Sequence, residues 1–443
     1  TINGNAEIVA TNTNTTNGVI HVINNVLTPS TISVEPTQDL VELAIASGFN
    51  KLAEALTRAG LVGALQGTGP FTVFAPTDAA FDNLLAAIGQ TSINDIPVSV
   101  LQSILTYHVV SGKVASSMVN SGDVASLSGE NLTFSTTNGI QVNGVDVVSP
   151  FDVDATNGIV HTINEVLVPP TITPLVNSVL EPAYFNVNFS TLVEAVVKAD
   201  LVSTLLNTPN LTIFAPTNDA FNASGINPAD LDAATLASVL TYHVVGAKVL
   251  AAGIPAQAPT VNGNNLFFSL TGSGNFINGN TEIVATDIES GTGVVHVIDS
   301  VLLPPSGNLV DIAVGLTSTG EFTSLVAALQ RTADEGTPEQ NLLTVLSSGG
   351  PFTVFAPTNA AFQALLDSNA SWNGLGDIPL ETLIAVLTYH VVPARAYDVD
   401  LAGALDVNNQ LPTANGKNIT IDLGTLTING NAEIVATNTN TTN

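Results

Sequence analysis

The stretch GPFTVFAPTDAAFDNLL, Gly69 to Leu85, decides how this chain is read. FTVFA is an apolar, partly β-branched run of the length of a buried strand. Pro76 stops it, and Thr77 or Asp78 is placed to cap a helix that begins at AAF. The same strand, stop and helix return as LTIFAPTNDAF, Leu211 to Phe221, and PFTVFAPTNAAF, Pro351 to Phe362. Phe74, Phe214 and Phe355 are spaced 140 and 141 residues apart, so the chain is a repeat of three similar domains.

Working outward, residues 39–65 carry apolar positions at helical spacing broken by Gly48, Gly60 and Gly63, which predicts two or three short helices. Downstream, IPVSVLQSILTYHVVSGKV reads as a helix entering a strand through Tyr107 and His108, and short strands follow from Val124 to Val148. NGIVHTINEVLVPP, Asn157 to Pro170, closes the domain. LTYHVV recurs at Leu240 to Val245 and Leu387 to Val392, and GVVHVIDSVLLPP at Gly293 to Pro305. The third repeat has no such closing box after it. Its extra polar length at Ala333 to Asn341 predicts an exposed loop. TPSTISVEP (Thr28 to Pro36), LLPPSGN and VPPTITPLVNSVLEPAYFNVN read as linkers, the longest of them packing on a neighbour.

The closing box of the third repeat lies instead near the beginning of the chain, as NGVIHVINNVLTP from Asn17 to Pro29. Residues Ile2 to Leu27 read as a strand, a polar turn and a second strand. The first seventeen residues, TINGNAEIVATNTNTTN, are identical to the last seventeen, and the two copies start 426 residues apart at Thr1 and Thr427. A diverged copy, INGNTEIVATD, runs from Ile277 to Asp287. The expected organisation is thus a terminal part of a domain at 1–30, which completes a third-type domain, then domains at 38–170, 176–305 and 307–443, the last without its final strand. Three domains make one block of an array, and the chain, which starts without a signal peptide, reads as a mature product or a fragment.

Composition narrows the function. Thirty-seven acidic residues face eight basic ones, and the net charge of −29 repels nucleic acid and anionic membranes. Only 10% of residues are charged, so the surface rests largely on Thr, Asn, Ser, Gly and Gln. There is no cysteine, which removes disulfide scaffolds, thiolate metal sites and Cys nucleophiles. No run of about twenty apolar residues spans a bilayer. No GxSxG, HExxH, P-loop or GxGxxG pattern occurs, and the six histidines sit at repeated positions rather than at one special place. Those six, His21, His161 and His296 in the closing boxes and His108, His243 and His390 in the middle ones, read as partly buried rings tying a strand to a neighbouring loop. No enzyme, cofactor or metal is expected. The carboxylate pairs Asp152/Asp154, Asp287/Glu289 and Asp398/Asp400 read as solvated turns before calcium ligands. Asn-x-Ser/Thr acceptors occur at Asn14, Asn131, Asn188, Asn210, Asn222, Asn369, Asn418 and Asn440.

The three motifs, [FT]TVFAPT[DN]xAF, LTYHVV and NG[IV][VI]HxIxxVLxP, resemble those of the fasciclin-like domain family in order and in number. The resemblance covers nearly the whole chain. It implies an α+β fold of tandem domains, each a wedge-like β-sandwich with packed helices, placed outside the cell and working in adhesion or matrix assembly. It also implies ligand-binding positions: the pairs Tyr107/His108, Tyr242/His243 and Tyr389/His390, and an Asp-Ile pair six residues before the glycine of the last box. Asp287 and Ile288 match that pair, and Asp152 with Val153 nearly does. Asn12 with Thr13 departs from it. The expected partners are neighbouring copies of the repeat, joined covalently or head to tail, and surface glycans or proteins.

Overall fold

The structure, a computed structural model, describes residues 7–15, 18–27, 35–272 and 274–436, with the side chains of 11–15 and 18 left aside. The Thr28 to Pro36 linker, apart from its last two residues, and the acceptor Asn440 lie outside the described residues, as do the side chains of Asn12, Thr13 and the acceptor Asn14. The chain divides into two compact units, one made chiefly of residues 1–170 and one of 171–443.

Near its start the first unit holds two antiparallel strands, β1 (Ile8–Thr15) and β2 (Gly18–Ile23); the two predicted strands are there, and the first runs on to Thr15, into the stretch expected as turn. The first domain then opens with three short helices, α1 (Leu40–Ala46), α2 (Asn50–Arg58) and α3 (Val62–Leu65). Strand β3 (Phe71–Pro76) follows, then α4 (Asp78–Ala87) and α5 (Val98–Tyr107). Six more strands complete it: β4 (Val109–Ser111), β5 (Gly122–Ala125), β6 (Asn131–Ser135), β7 (Gln141–Val142), β8 (Val145–Ala155) and β9 (Gly158–Ile163). They pair in the order β4-β3-β9-β8-β7-β6-β5, with β3 and β9 parallel and the other pairs antiparallel.

The sheet is not flat. Three strands separate β3 from β6, yet the rings of Phe74 and Phe134 are 5.4 Å apart between centroids. The sheet therefore folds back on itself, helped by the register shift between Val148 and Val153. Phe74, Tyr107, Val110, Leu132, Phe134, Val142 and Ile163 fill the space enclosed. This is the expected α+β sandwich with helices packed on it.

The second unit holds the second and third domains, and the second repeats this sheet in full. Strands β10 (Leu211–Pro216), β11 (Val244–Val245), β12 (Gln257–Pro259), β13 (Asn265–Thr271), β14 (Gly274–Ile277), β15 (Thr281–Ser290) and β16 (Gly293–Ile298) pair in the equivalent order. Phe214 and Phe268 repeat the ring contact at 5.5 Å. The segment read as the longest linker is instead part of this domain. It forms short helical turns at Thr173–Leu175, Glu181–Tyr184 and Val187–Phe189, because Leu175, Val179, Leu180, Ala183 and Phe189 give it enough apolar surface to join the core.

The third domain has β17 (Thr353–Val354), β18 (Val391–Val392), β19 (Gln410–Pro412), β20 (Asn418–Asp422), β21 (Thr427–Ile428) and β22 (Ala432–Glu433). Among the described residues these form two small sheets, β17-β18 and β19-β20-β21-β22. The stretch expected as a loop at Ala333 to Asn341 is helical up to Glu335, the end of the Thr323–Glu335 helix, and then turns at Pro338–Gln340. The Thr332 hydroxyl explains this: it accepts from the Leu342 N–H (3.1 Å) and so secures the turn across its base.

Candidate functional site

Each APT[DN] motif performs two tasks. The threonine caps its own helix: Thr77, Thr217 and Thr358 accept from the N–H groups of Ala80, Ala220 and Ala361, each at 3.2 Å. The next residue reaches across to an earlier helix. Asp78 accepts from Lys51 N–H (2.9 Å), Asn218 from Thr191 N–H (3.0 Å) and Asn359 from Ser324 N–H (2.8 Å). The acceptor oxygen is common to all three, while the other side-chain atom differs in use: Asn218 and Asn359 donate their amides to Val187 O (2.9 Å) and Gly320 O (2.7 Å), and Asp78 accepts with its second oxygen from the Asn50 amide (3.1 Å).

The tyrosines of LTYHVV lie beneath the surface in the first two domains. Tyr107 is 1% exposed and Tyr242 is fully buried. Each hydroxyl donates to a strand carbonyl: Tyr107 to Asn131 O (2.8 Å), Tyr242 to Asn265 O (3.1 Å) and Tyr389 to Asn418 O (3.0 Å). Each also accepts from the asparagine of an Asn-Gly turn, at 2.7 Å from Asn143, 2.9 Å from Asn278 and 3.1 Å from Asn429. All three asparagines have positive φ, and a glycine of positive φ follows each, the signature of a tight hairpin turn. Burial raises the Tyr107 phenol above its ordinary pKa, opposed by its hydrogen bond from Asn143.

The adjacent histidines are also committed. His108 Nδ1 donates to Ile104 O (2.8 Å) and its Nε2 accepts from Leu167 N–H (2.9 Å). His243 does the same with Val239 O and Leu302 N–H, both at 2.9 Å. These bonds fix a neutral ring, and burial lowers both pKa values to about 4 against a smaller opposing effect of the carbonyl bond. His390 keeps the first bond, to Val386 O at 2.8 Å, and is only half-buried.

A second histidine in each closing box locks the Asp position. His161 Nε2 donates to Val114 O (2.8 Å) while its Nδ1 accepts from Asp152 N–H (3.3 Å). His296 makes the equivalent bonds to Val249 O (2.8 Å) and Asp287 N–H (3.2 Å), and stacks on Phe214. Asp152 and Asp287 have positive φ at the bulge of the long strand. Their carboxylates hold the loop opposite: Asp152 accepts from both the N–H (2.6 Å) and the hydroxyl of Ser116, and Asp287 from Ala251 N–H (2.8 Å). Asp287 is exposed, whereas Ile288 turns inward onto the second domain's core.

In the first two domains the structure thus brings the closing-box histidine and the Asp together on one loop, sends the Tyr-His pair to a hairpin turn and to the residues after the closing strand, and leaves only the Asp edge at the surface. The paired carboxylates do not converge. Asp154 meets Lys113 at 2.8 Å and Glu289 meets Lys248 at 2.5 Å. Among the described residues no group of three His, Asp or Glu is placed to hold a metal. An apolar cavity of about 290 Å³ lies in the second domain, lined by Leu180, Leu192, Val196, Leu205, Val244 and Val295 among others.

Two residues were not singled out by sequence. The Arg395 guanidinium sits 3.7 Å above the Phe267 ring, and buried Tyr397 packs where a Cβ on Gly279 would come within 2.4 Å of its Cγ. Second and third domains meet through these contacts within one unit. A signal existed: PARAYDVD is where the third repeat departs from SGKVASS and GAKVLAA in the other two.

The Fasciclin domain matches this chain at residues 47–169, 187–304 and 320–443, and the chain belongs to that family. Among relatives, transforming growth factor-beta-induced protein ig-h3 of Oryctolagus cuniculus is 28% identical over 97% of this chain and 59% of its own length. Periostin of Homo sapiens is 28% identical over 68% of this chain and 35% of its own length. Protein sll1483 of Synechocystis is 44% identical over 32% of this chain and 79% of its own length. This chain therefore spans little more than half of ig-h3. No helix among the described residues is long and apolar enough to cross a membrane.

Proposed function

We propose that this chain is a segment of an extracellular structural and adhesive protein, a fibre or stalk built from 426-residue blocks of three fasciclin domains. The observation that carries this reading is the seventeen-residue identity between Thr1–Asn17 and Thr427–Asn443. Nearly identical blocks suit a part whose task is length and repetition. Each domain is roughly 35–40 Å across, so a block adds on the order of 100 Å. The reading is non-enzymatic, with neighbouring copies of the block as the principal partners. Electron microscopy of the native particle tests it: filaments with a repeat near that length are expected, and compact monomers holding a single block would refute it. Denaturing electrophoresis then separates a covalent array, seen as one very large species, from separate chains near 45 kDa.

A second reading, a module that binds a glycan or protein through one domain, is favoured by the exposed Asp287 edge and by nothing comparable at Tyr242 or His243. Loss of cell attachment in Asp287→Ala is its expected result. Unchanged attachment together with a blank glycan array would remove it.

A further inference from the structure

Neither adhesion nor length gives a task to the apolar cavity of the second domain, about 290 Å³ in volume. It lies beneath the helices Ser190–Lys198 and Val202–Asn207 and against strands β10, β11 and β16. Its exposed wall residues, Val197, Thr204 and Val261, mark where it reaches solvent. The first domain is drawn together more tightly at the corresponding place. There the Gln102 amide, on α5, donates to Ala59 O just past the end of α2 (2.8 Å) and ties the two helices. Ala237 stands at that position in the second domain and is too short to do so. Ala199 and Val239 are each 8% exposed, where their counterparts Ala59 and Ile104 are 1%. Leu211, in the cavity wall, also stands where the first domain has the larger Phe71.

The wall decides what fills such a space. Water is a poor occupant, because it needs roughly two to four polar partners and the wall is almost wholly aliphatic. The volume is nearly twice the roughly 150 Å³ of an apolar cavity that takes up benzene, which gives room for an aliphatic chain on the order of ten carbons. Among the described residues no Asp, Glu, Lys or Arg lines it. An ionised head group would find no counter-charge there, and the net charge of −29 repels an anion at a distance. His243 has both ring nitrogens bonded, and the hydroxyls of Thr208 and Thr241 donate to Thr204 O (2.7 Å) and Ala237 O (2.6 Å). Tyr184 is different. Its ring meets Phe185 edge-on at 5.3 Å, and among the described residues its half-buried hydroxyl has no hydrogen-bond partner. Burial raises the pKa of this phenol, so at neutral pH it is both a donor and an acceptor.

We propose that this cavity binds one uncharged, single-chain alcohol of about ten carbons, its chain among Leu192, Val196, Leu205 and Val295 and its hydroxyl bonded to that of Tyr184. The aliphatic wall supplies the affinity through the apolar surface it removes from water, and the phenol fixes which end of the ligand lies beside it. The site gives the second domain a small-molecule function of its own and does not rest on the fibre reading.

Titration calorimetry on the full chain, with straight-chain primary alcohols from hexanol to dodecanol, tests it. A single saturable site is expected, with affinity rising about fourfold per methylene as far as decanol and levelling off beyond it. Decanoate at neutral pH should bind about tenfold more weakly than decanol, or weaker still. Val196→Phe takes the room of roughly two methylenes of ligand and should weaken decanol about tenfold. Tyr184→Phe keeps the shape of the wall and should weaken octanol about three- to tenfold while leaving hexane unchanged. The Tyr184→Phe comparison decides the matter even where Val196→Phe fails to fold. No saturable binding, an affinity indifferent to chain length, decanoate bound as tightly as decanol, a folded Val196→Phe that binds decanol unchanged, or octanol unmoved by Tyr184→Phe would each overturn the site.

Discussion

Asn278 donates its side-chain amide to the hydroxyl of Tyr242 at 2.9 Å, locking a hairpin turn onto the end of a helix 36 residues earlier in the chain. The same pairing joins Asn143 to Tyr107 and Asn429 to Tyr389. It gives INGN a purpose: the asparagine both adopts the turn and grips the tyrosine. Tyr242→Phe leaves the Asn278 amide and the Asn265 carbonyl without this partner. Chemical denaturation should show the second domain destabilised by about 1–3 kcal/mol. A loss of ligand binding at unchanged stability would instead make Tyr242 a contact residue.

Acid should loosen the first two domains. His108 and His243 are held near pKa 4 in the fold and titrate near 6.5 when unfolded, so the unfolded chain binds more protons between those values. Their stabilisation is complete above about pH 6.5 and declines as pH falls to about 4, by roughly 3 kcal/mol per site. Unfolding followed from pH 7 to pH 4 should show this slope. His243→Gln, which retains a donor and an acceptor, should flatten the second domain's share of it.

The contact between second and third domains depends on an absent side chain. Gly279 has φ near +79°, and Tyr397 occupies the space a Cβ would need. Gly279→Val combines backbone strain with overpacking, about 1–3 kcal/mol or more. Calorimetry should resolve the second and third domains as separate transitions in this variant, with Tyr397→Ala giving a milder form of the same effect.

Asp152→Ala removes the acceptor that holds Ser116 by its N–H and hydroxyl. Amide exchange should quicken in residues 113–118 while β3 and β9 stay protected, with a stability loss of about 1–3 kcal/mol. Asp287→Ala should act more weakly, since Ala251 offers only an N–H.

Most of the fold was legible because it was written three times. The strand at FTVFA, its proline stop and its capping threonine follow from local rules, and three copies remove the ambiguity of one. The histidines could be read as structural for the same reason. The roles of Asp78 and Asn143 were not legible. Each bonds a group 27 or 36 residues away, and no periodicity reports such a distance. The linker reading of 168–188 failed because prolines and asparagines mark an irregular path without saying whether it is buried. Arg395 and Tyr397 were not legible because they belong to the third repeat alone, where PARAYDVD has no counterpart in the other two to mark it.

Strand β9 has a mechanical consequence for a protein under tension. The chain enters the first domain at Leu40, whose N–H is held by Asn157 (3.0 Å) immediately before β9, and leaves near Leu167, held by His108 just beyond its end. A pull on the two ends of the domain therefore runs along this one strand, about 20 Å long. Its neighbours β3 and β8 flank it over that length, so separating them means shearing several hydrogen bonds at once rather than unzipping them one by one. The motif that marks the domain in sequence is also the line along which it would bear load.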